Sequence, residues 1–399
     1  MRALLLENIH HDAATLLEQR GYQVETRKGA LDEDELIEAL DGVDLLGIRS
    51  KTQVTAEVLA RAPQLSAVGA FSVGTNQIDL EAATEHGIAV FNAPYSNTRS
   101  VVELVIGHII ALARRIPERN QALHAGNWLK SATGSHEVRG RTLGIVGYGN
   151  IGTQLSVLAE AIGMRVYFYD IVDRLALGNA QRCGSLDELL EKVETVSLHV
   201  DGRPSNTNLI GADEFARMRP RTLFLNLCRG NVVDHEALRD ALMSGHLAGA
   251  AIDVFPTEPK ANGDSFESYL QGLDNVILTP HIGGSTQEAQ QDIGHFVAGK
   301  LRDYVQTGST VMSVNLPEVG VGGDISHCRV LHLHRNVPGV LAGINQVFGD
   351  AQVNIDRQQL ATRGELGYVV TDLAGDLPKT AVEALLALPE TVRLTTVNN

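Results

Sequence analysis

The segment from Thr142 to Asp170, TLGIVGYGNIGTQLSVLAEAIGMRVYFYD, constrains the fold more than any other stretch of the chain. An apolar run with Leu143, Ile145 and Val146 leads directly into Gly147, Gly149 and Gly152. A helical pattern follows, and a second apolar strand, Arg165 to Tyr169, ends on Asp170. A GxGxxG alone is weak. One that follows a strand, opens a helix and is answered by an acid at the end of the next strand specifies a βαβ unit that cradles a dinucleotide. Gly147 permits the tight turn, Gly149 lets backbone N–H groups approach a pyrophosphate, and Gly152 lets helix and strand pack closely. The helix N-terminus adds orphan donors and the positive end of its dipole. Asp170 is expected to accept hydrogen bonds from the adenosine ribose and to repel a 2′-phosphate, which favours NAD over NADP.

Strand and helix patterns alternate on both sides of this unit. Before it, Ala3–Leu6, Tyr22–Thr26, Leu45–Ile48, Ala67–Ala70 and Ala89–Phe91 read as strands, separated by short helices, and a long helix is expected over Val101–Ile116. After it, Thr195–His199, Thr222–Asn226, Ala248–Asp253 and Asn275–Thr279 read as strands, and Gln287–Val305 as a helix. The rhythm predicts an α/β protein with doubly wound parallel sheets. Between Val311 and Asp324 the texture changes to VMSVNLPEVGVGGD, where Pro317, Gly320, Gly322 and Gly323 mark a hinge. Beyond it the order strand, helix, strand, strand, helix, strand describes a ferredoxin-like βαββαβ module.

At 399 residues and 44% hydrophobic content the chain can build several cores. Its 33 Lys and Arg against 48 Asp and Glu give a net charge of −15, which argues against nucleic acid as a partner. Cys183, Cys228 and Cys328 lie far apart with no metal-type spacing, and His332-x-His334 lacks a third ligand, so no metal is expected. The start, MRALLLENIHHDAA, turns charged at Glu7, too soon for the apolar centre of a signal peptide, and no run of about twenty apolar residues exists to span a membrane. A cytoplasmic location is the expectation.

Three polar residues fall at the carboxyl ends of strands, where open α/β sheets bind ligands. Arg229 follows the apolar LFLNLC and precedes Gly230, Glu258 lies in DVFPTEP, and His281 lies in TPHIGG before Gly283 and Gly284. Oxidising a secondary alcohol by hydride transfer needs a base near neutrality, for which His is suited. A carboxylate bonded to the imidazole orients it and stabilises its charged form. An Arg presents a planar fork that fits a substrate carboxylate. Arg49, Ser50 and Lys51, after the strand Leu45–Ile48, form a candidate anion cup.

The succession GYGNIG, CRGNVVD, DVFPTEP and TPHIGGS resembles the D-isomer-specific 2-hydroxyacid dehydrogenases, and the likeness runs from about residue 1 to the end. It implies Arg229, Glu258 and His281 as catalytic residues, with His281 as acid–base. It places Gly147, Gly149, Asn150, Ile151, Gly152, Asp170, Leu227, Cys228, Asp253, Gly283 and Gly284 at the NAD site. FSVGTNQIDL and NAPYSNTRSVVELVIG narrow the likeness to the branch acting on D-3-phosphoglycerate, with a further side activity on 2-oxoglutarate. There Lys28, Asn97 and Lys130 match positions near the substrate, alongside Arg49, Ser50 and Lys51.

The resemblance also implies a discontinuous, flavodoxin-like substrate domain (1–97 and 283–313), a Rossmann NAD domain (98–282), a linker (314–325) and an ACT regulatory domain (326–399). In the ACT domain His334, Asn336 and Asn354 match residues that bind L-serine. Trp128 matches a position of subunit contact, and a homotetramer is expected. Two other readings stay open: a dehydrogenase for a different D-2-hydroxy acid, against which the Arg49–Lys51 pair argues in the case of glycerate, and a non-catalytic NAD-sensing regulator, against which intact Arg229, Glu258 and His281 argue.

Overall fold

The structure is a computed structural model, and it describes residues 1–259, 263–322, 325 and 327–398. They form two compact units, Met1–Ser96 with Gln290–Asn399, and Asn97–Ala289. The first opens with β1 (Arg2–Leu5), α1 (His11–Glu18), β2 (Gln23–Thr26), α2 (Glu33–Ala39), β3 (Leu45–Ile48), α3 (Ala56–Ala60), β4 (Ala67–Ala70), α4 (Leu80–Glu85) and β5 (Ala89–Asn92). Its strands make one parallel sheet in the order β2-β1-β3-β4-β5. Every residue of β3 and β4 is buried, as a sheet covered on both faces requires. Side chains start the helices: Asp32 and Glu35 form a reciprocal capping box, and Thr55 and Asp79 accept backbone N–H groups at their N-caps.

The second unit contains α5 (Thr98–Ala113), α6 (Ile116–His124), β6 (Thr142–Val146), α7 (Asn150–Ala161), β7 (Arg165–Tyr169), β8 (Gln181–Arg182), α8 (Leu186–Lys192), β9 (Thr195–Leu198), α9 (Ala212–Arg217), β10 (Thr222–Asn226), α10 (His235–Met243), β11 (Leu247–Ile252) and β12 (Val276–Leu278). Its parallel sheet runs β12-β11-β10-β9-β6-β7-β8. The order reverses at β6, so the fingerprint after β6 lies at the switch point where such sheets bind ligands. The helix expected over Val101–Ile116 ends at Ala113 instead. Arg115 turns left-handed (φ 55°), and Pro117 in the first turn of α6 starts a separate helix.

The chain then forms α11 (Gln287–Thr307), β13 (Cys328–Arg335), α12 (Val340–Asp350), β14 (Ile355–Arg363), β15 (Leu366–Leu373), α13 (Lys379–Leu386) and β16 (Thr391–Asn398). The last four strands make an antiparallel sheet, β14-β15-β13-β16, the ferredoxin-like order expected of the module. Its β13 is buried on both faces. Cys328 and Val330 pack with Ile344, Phe348 and Leu385 of the module's own helices. Leu331 and Leu333, with Tyr368 and Val370, share a core with Phe91, Val297, Leu301 and Tyr304.

The segment expected as a linker over 314–325 is fixed in its first half. Leu316 and Val319 enter that same core, and Asn315 bonds Val90 N–H and Ile88 C=O beside β5. Two apolar side chains anchor what the glycines alone suggested would swing. Of the hinge glycines, Gly323 lies outside the described residues. Among the described residues, no helix is long and apolar enough to cross a membrane.

Candidate active site

The fingerprint turn has the geometry that its sequence implies. Gly147 is left-handed (φ 92°), and a Cβ on Gly152 would lie 2.3 Å from the carbonyl oxygen of Gly147. At Gly149 a Cβ would meet nothing within 4 Å, so the space over the loop is open to a ligand. Gly149 is the N-cap of α7 and supplies no side chain, which leaves the first-turn N–H groups of α7 facing that space with Asn150 exposed. These residues fit an NAD pyrophosphate. Asp170 is mostly buried, with one oxygen accepting Tyr148 N–H (2.7 Å) and the other Val172 N–H (2.9 Å). Those bonds fix a carboxylate at the end of β7, where ribose hydroxyls would reach it.

The catalytic candidates meet at the far end of the same sheet. Arg229 follows β10, and its position depends on Gly230. A Cβ there would lie 2.0 Å from the backbone carbon of Phe255, so only glycine lets this turn cross the DVFPTEP segment. Asn226 holds the turn from inside, donating to Arg229 C=O and accepting Cys228 N–H. Leu227 and Cys228 are buried beneath it, and burial pushes the Cys228 thiol up to about 11.

Glu258 and His281 are bonded to each other, Oε2 to Nδ1 at 2.8 Å, and Glu258 Oε1 accepts Phe255 N–H. The Glu258 hydrogen bond raises the imidazole above its ordinary value, against burial that lowers it. Burial pushes the Glu258 carboxyl up, but the hydrogen bond and charge of His281 hold it below the ordinary carboxylate value. The Arg229 charge acts on both, lowering each. With Nδ1–H donated to Glu258, the Nε2 lone pair of neutral His281 is left for a substrate proton.

His281 itself is left-handed (φ 53°), a strained conformation for this residue type. Asp253, expected at the NAD site, shows what holds it. This carboxylate is 1% exposed and accepts Thr279 Oγ1–H (2.6 Å), Ile282 N–H (2.9 Å) and Gly283 N–H (2.8 Å). It clasps both sides of the His281 turn. Asn97 joins the same neighbourhood, because a Cβ on Gly284 would fall 2.4 Å from its Nδ2. Lys130 lies in an exposed loop of this unit.

In the first unit the anion cup has a different interior from the one expected. The backbone N–H groups of Arg49, Ser50, Lys51 and Thr52 all donate to the carboxylate of Glu7, at 2.9–3.1 Å. Glu7, left-handed and buried, occupies the nest, so the side chains of Arg49, Ser50 and Lys51 remain for an anion. Lys28 is exposed on the adjoining turn, whose Gly29 C=O accepts Glu7 N–H. Nothing in the sequence around Glu7 signals this role, because the residues that it serves lie more than forty positions away.

In the C-terminal module His334 and Asn336 lie together at the end of β13. His334 packs over Gly367, its Nδ1 is bonded to Arg335 C=O, and its Nε2 is buried without a partner among the described residues. The Asn336 amide reaches Gly364 C=O at 3.4 Å. Asn354 precedes β14, and its backbone carbonyl accepts Ala374 N–H.

Residues 106–283 match the family model of the D-isomer specific 2-hydroxyacid dehydrogenase NAD-binding domain, and residues 330–393 that of an AHAS small subunit-like ACT domain. A relative from Escherichia coli named D-3-phosphoglycerate dehydrogenase is 51% identical over 98% of this chain and 96% of its own. Among solved structures, D-2-hydroxyisocaproate dehydrogenase is 27% identical, with a TM-score of 0.72 over 79% of this chain and 100% of its own. The Aquifex aeolicus D-lactate dehydrogenase, crystallised with NAD and lactic acid, is 26% identical, with a TM-score of 0.65 over 76% of this chain and 95% of its own.

Proposed function

The chain belongs to the D-isomer-specific 2-hydroxyacid dehydrogenase family, as an NAD-dependent enzyme, and on that premise we propose that it oxidises D-3-phosphoglycerate to 3-phosphohydroxypyruvate, the first step of L-serine synthesis. The observation that carries the chemistry is the Glu258–His281 pair at 2.8 Å, beside Arg229, at the carboxyl ends of a sheet whose switch point holds the dinucleotide fingerprint. When bound, NAD supplies the hydride acceptor. Arg229 holds the substrate carboxylate with its planar fork. His281 Nε2 takes the C2 hydroxyl proton, and Glu258 stabilises the imidazolium that forms. In the reverse direction the same imidazolium returns the proton to a keto oxygen, which extends the reading to 2-oxoglutarate reduction.

Arg49, Ser50 and Lys51 are the phosphate-holding residues in this reading, with Lys28, Asn97 and Lys130 as further substrate contacts. The cup is already neutralised at its backbone by Glu7, so its two cationic side chains are left for an external dianion. L-serine is the proposed effector at His334, Asn336 and Asn354. The unpartnered His334 Nε2 and the weakly bonded Asn336 amide support a small polar ligand there. A homotetramer is proposed. Its support is the apolar surface of α6 and the loop after it, where Trp128 is 77% exposed beside exposed Ile116, Leu123 and Leu129. NADH formation from D-3-phosphoglycerate, run with NADP as a control and with added L-serine, tests the reading. NAD-linked turnover that serine slows supports it. No turnover on this substrate, with turnover on another D-2-hydroxy acid, overturns it.

A further inference from the structure

Away from the residues assigned above, three imidazoles and one carboxylate converge on the surface of the first unit. Asp12, in the first turn of α1, has His11 Nε2 3.0 Å and His10 Nδ1 3.6 Å from its Oδ1, and His295 Nε2 of α11 3.0 Å from its Oδ2. The donor atoms of His10, His11 and Asp12 all lie within 4.8 Å of one another. Gly294 makes the approach of α11 close: a Cβ there would sit 3.4 Å from the Cβ of His10. Gln291, one turn before His295, donates to Asp12 Oδ2 at 2.7 Å and fixes the carboxylate.

Two features distinguish this cluster from ordinary surface ion pairs. His10 Nδ1 accepts the backbone N–H of Asp12 at 3.4 Å, so this nitrogen carries a lone pair rather than a proton. That bond is long, and the same nitrogen faces Asp12 Oδ1 at 3.6 Å, so a cation between the two would take the lone pair in place of the weak cap. The separations also suit a metal. Two bonds of about 2.0–2.1 Å at a tetrahedral angle place their donors about 3.3 Å apart, between the 3.0 and 3.6 Å that separate Asp12 Oδ1 from the His11 and His10 nitrogens; His295 meets the other carboxylate oxygen and would close on the ion from that side. Imidazole nitrogens with one carboxylate are the donor set of zinc, nickel, copper and cobalt rather than of magnesium or calcium.

We propose that His10, His11, Asp12 and His295 form a binding site for one divalent transition-metal ion of the zinc type, which staples α1 to α11. The ligands come from segments about 280 residues apart, so an ion bound there joins the start of the chain to the helix after the catalytic turn.

The test uses the full-length protein after chelator treatment, titrated calorimetrically with zinc chloride, and with cobalt(II) followed through its visible ligand-field bands. The expected result is uptake of one equivalent per chain, tetrahedral-type cobalt bands, and a rise in Tm with zinc, since an ion that binds only the folded state stabilises it. His11→Ala and His295→Ala, both at exposed positions, should each weaken zinc binding by about tenfold or more and leave NAD-linked turnover of the metal-free enzyme unchanged. The absence of saturable uptake by the wild type, or undiminished affinity in the double variant, overturns the proposal.

Discussion

At the residue scale the proposed chemistry depends on one hydrogen-bonded pair, Glu258 with His281. Removing the imidazole in His281→Ala should lower kcat by on the order of 10² to 10⁴ while NAD still binds, as loss of a general base does; stopped-flow turnover with parallel NAD titration measures both. The pH dependence has a definite sign. Glu258 raises the His281 imidazole, and oxidation needs that imidazole neutral, so the acidic limb of the kcat/KM profile sits above the ordinary His value. Glu258→Gln removes the raising interaction and should move that limb to lower pH. A limb that stays in place would detach Glu258 from the base. Asp170→Ala should narrow the NAD-to-NADP ratio of kcat/KM, since the carboxylate fixed by Tyr148 and Val172 N–H stands where a 2′-phosphate would go. The places of Arg229, Glu258, His281 and Asp170 were legible in the sequence because each follows an apolar strand by a few residues. Asp253 and Glu7 were less so. Their work is to accept backbone N–H groups from distant turns, and an acceptor leaves no pattern in the residues that it serves.

At the scale of elements, periodicity found the strands of both parallel sheets and the whole βαββαβ order, because long apolar runs and turn residues bound them. It ran α5 on to Ile116, three residues past its end at Ala113, and it passed over α6 and over β8, whose two residues are too few to show a period. Two turns are held by single carboxylates. Glu7→Gln removes the charge from the acceptor of the four N–H groups at Arg49–Thr52 and turns an NH2 donor towards two of them. Lost bonds to a buried charged group cost roughly 1–3 kcal/mol, so the loop should loosen and KM for the phosphorylated substrate should rise more than kcat falls. Equal KM for variant and wild type would show that the loop does not serve the substrate.

At the scale of the whole molecule, the glycine-rich stretch reads as a free hinge, but packing decides otherwise for its first half. Leu316 and Val319 are pinned, and Arg329, fully buried, bonds both oxygens of Asp372 within the module and the carbonyl of Thr307 at the end of α11. Such fixed contacts can carry a response only if serine binds two arrangements with different affinity. Asn336→Ala and Asn354→Ala should therefore weaken serine inhibition and leave kcat nearly unchanged, as read from inhibition curves. Oxidation of a phosphorylated D-2-hydroxy acid with NAD is read from kcat/KM of the wild-type enzyme for D-3-phosphoglycerate against D-glycerate, which differ by the phosphate alone. Charge-assisted bonds from Arg49 and Lys51 at about 1.5–3 kcal/mol each predict a preference on the order of 10² or more for the phosphorylated acid. Equal values for the two acids would mean that this site does not recognise the phosphate.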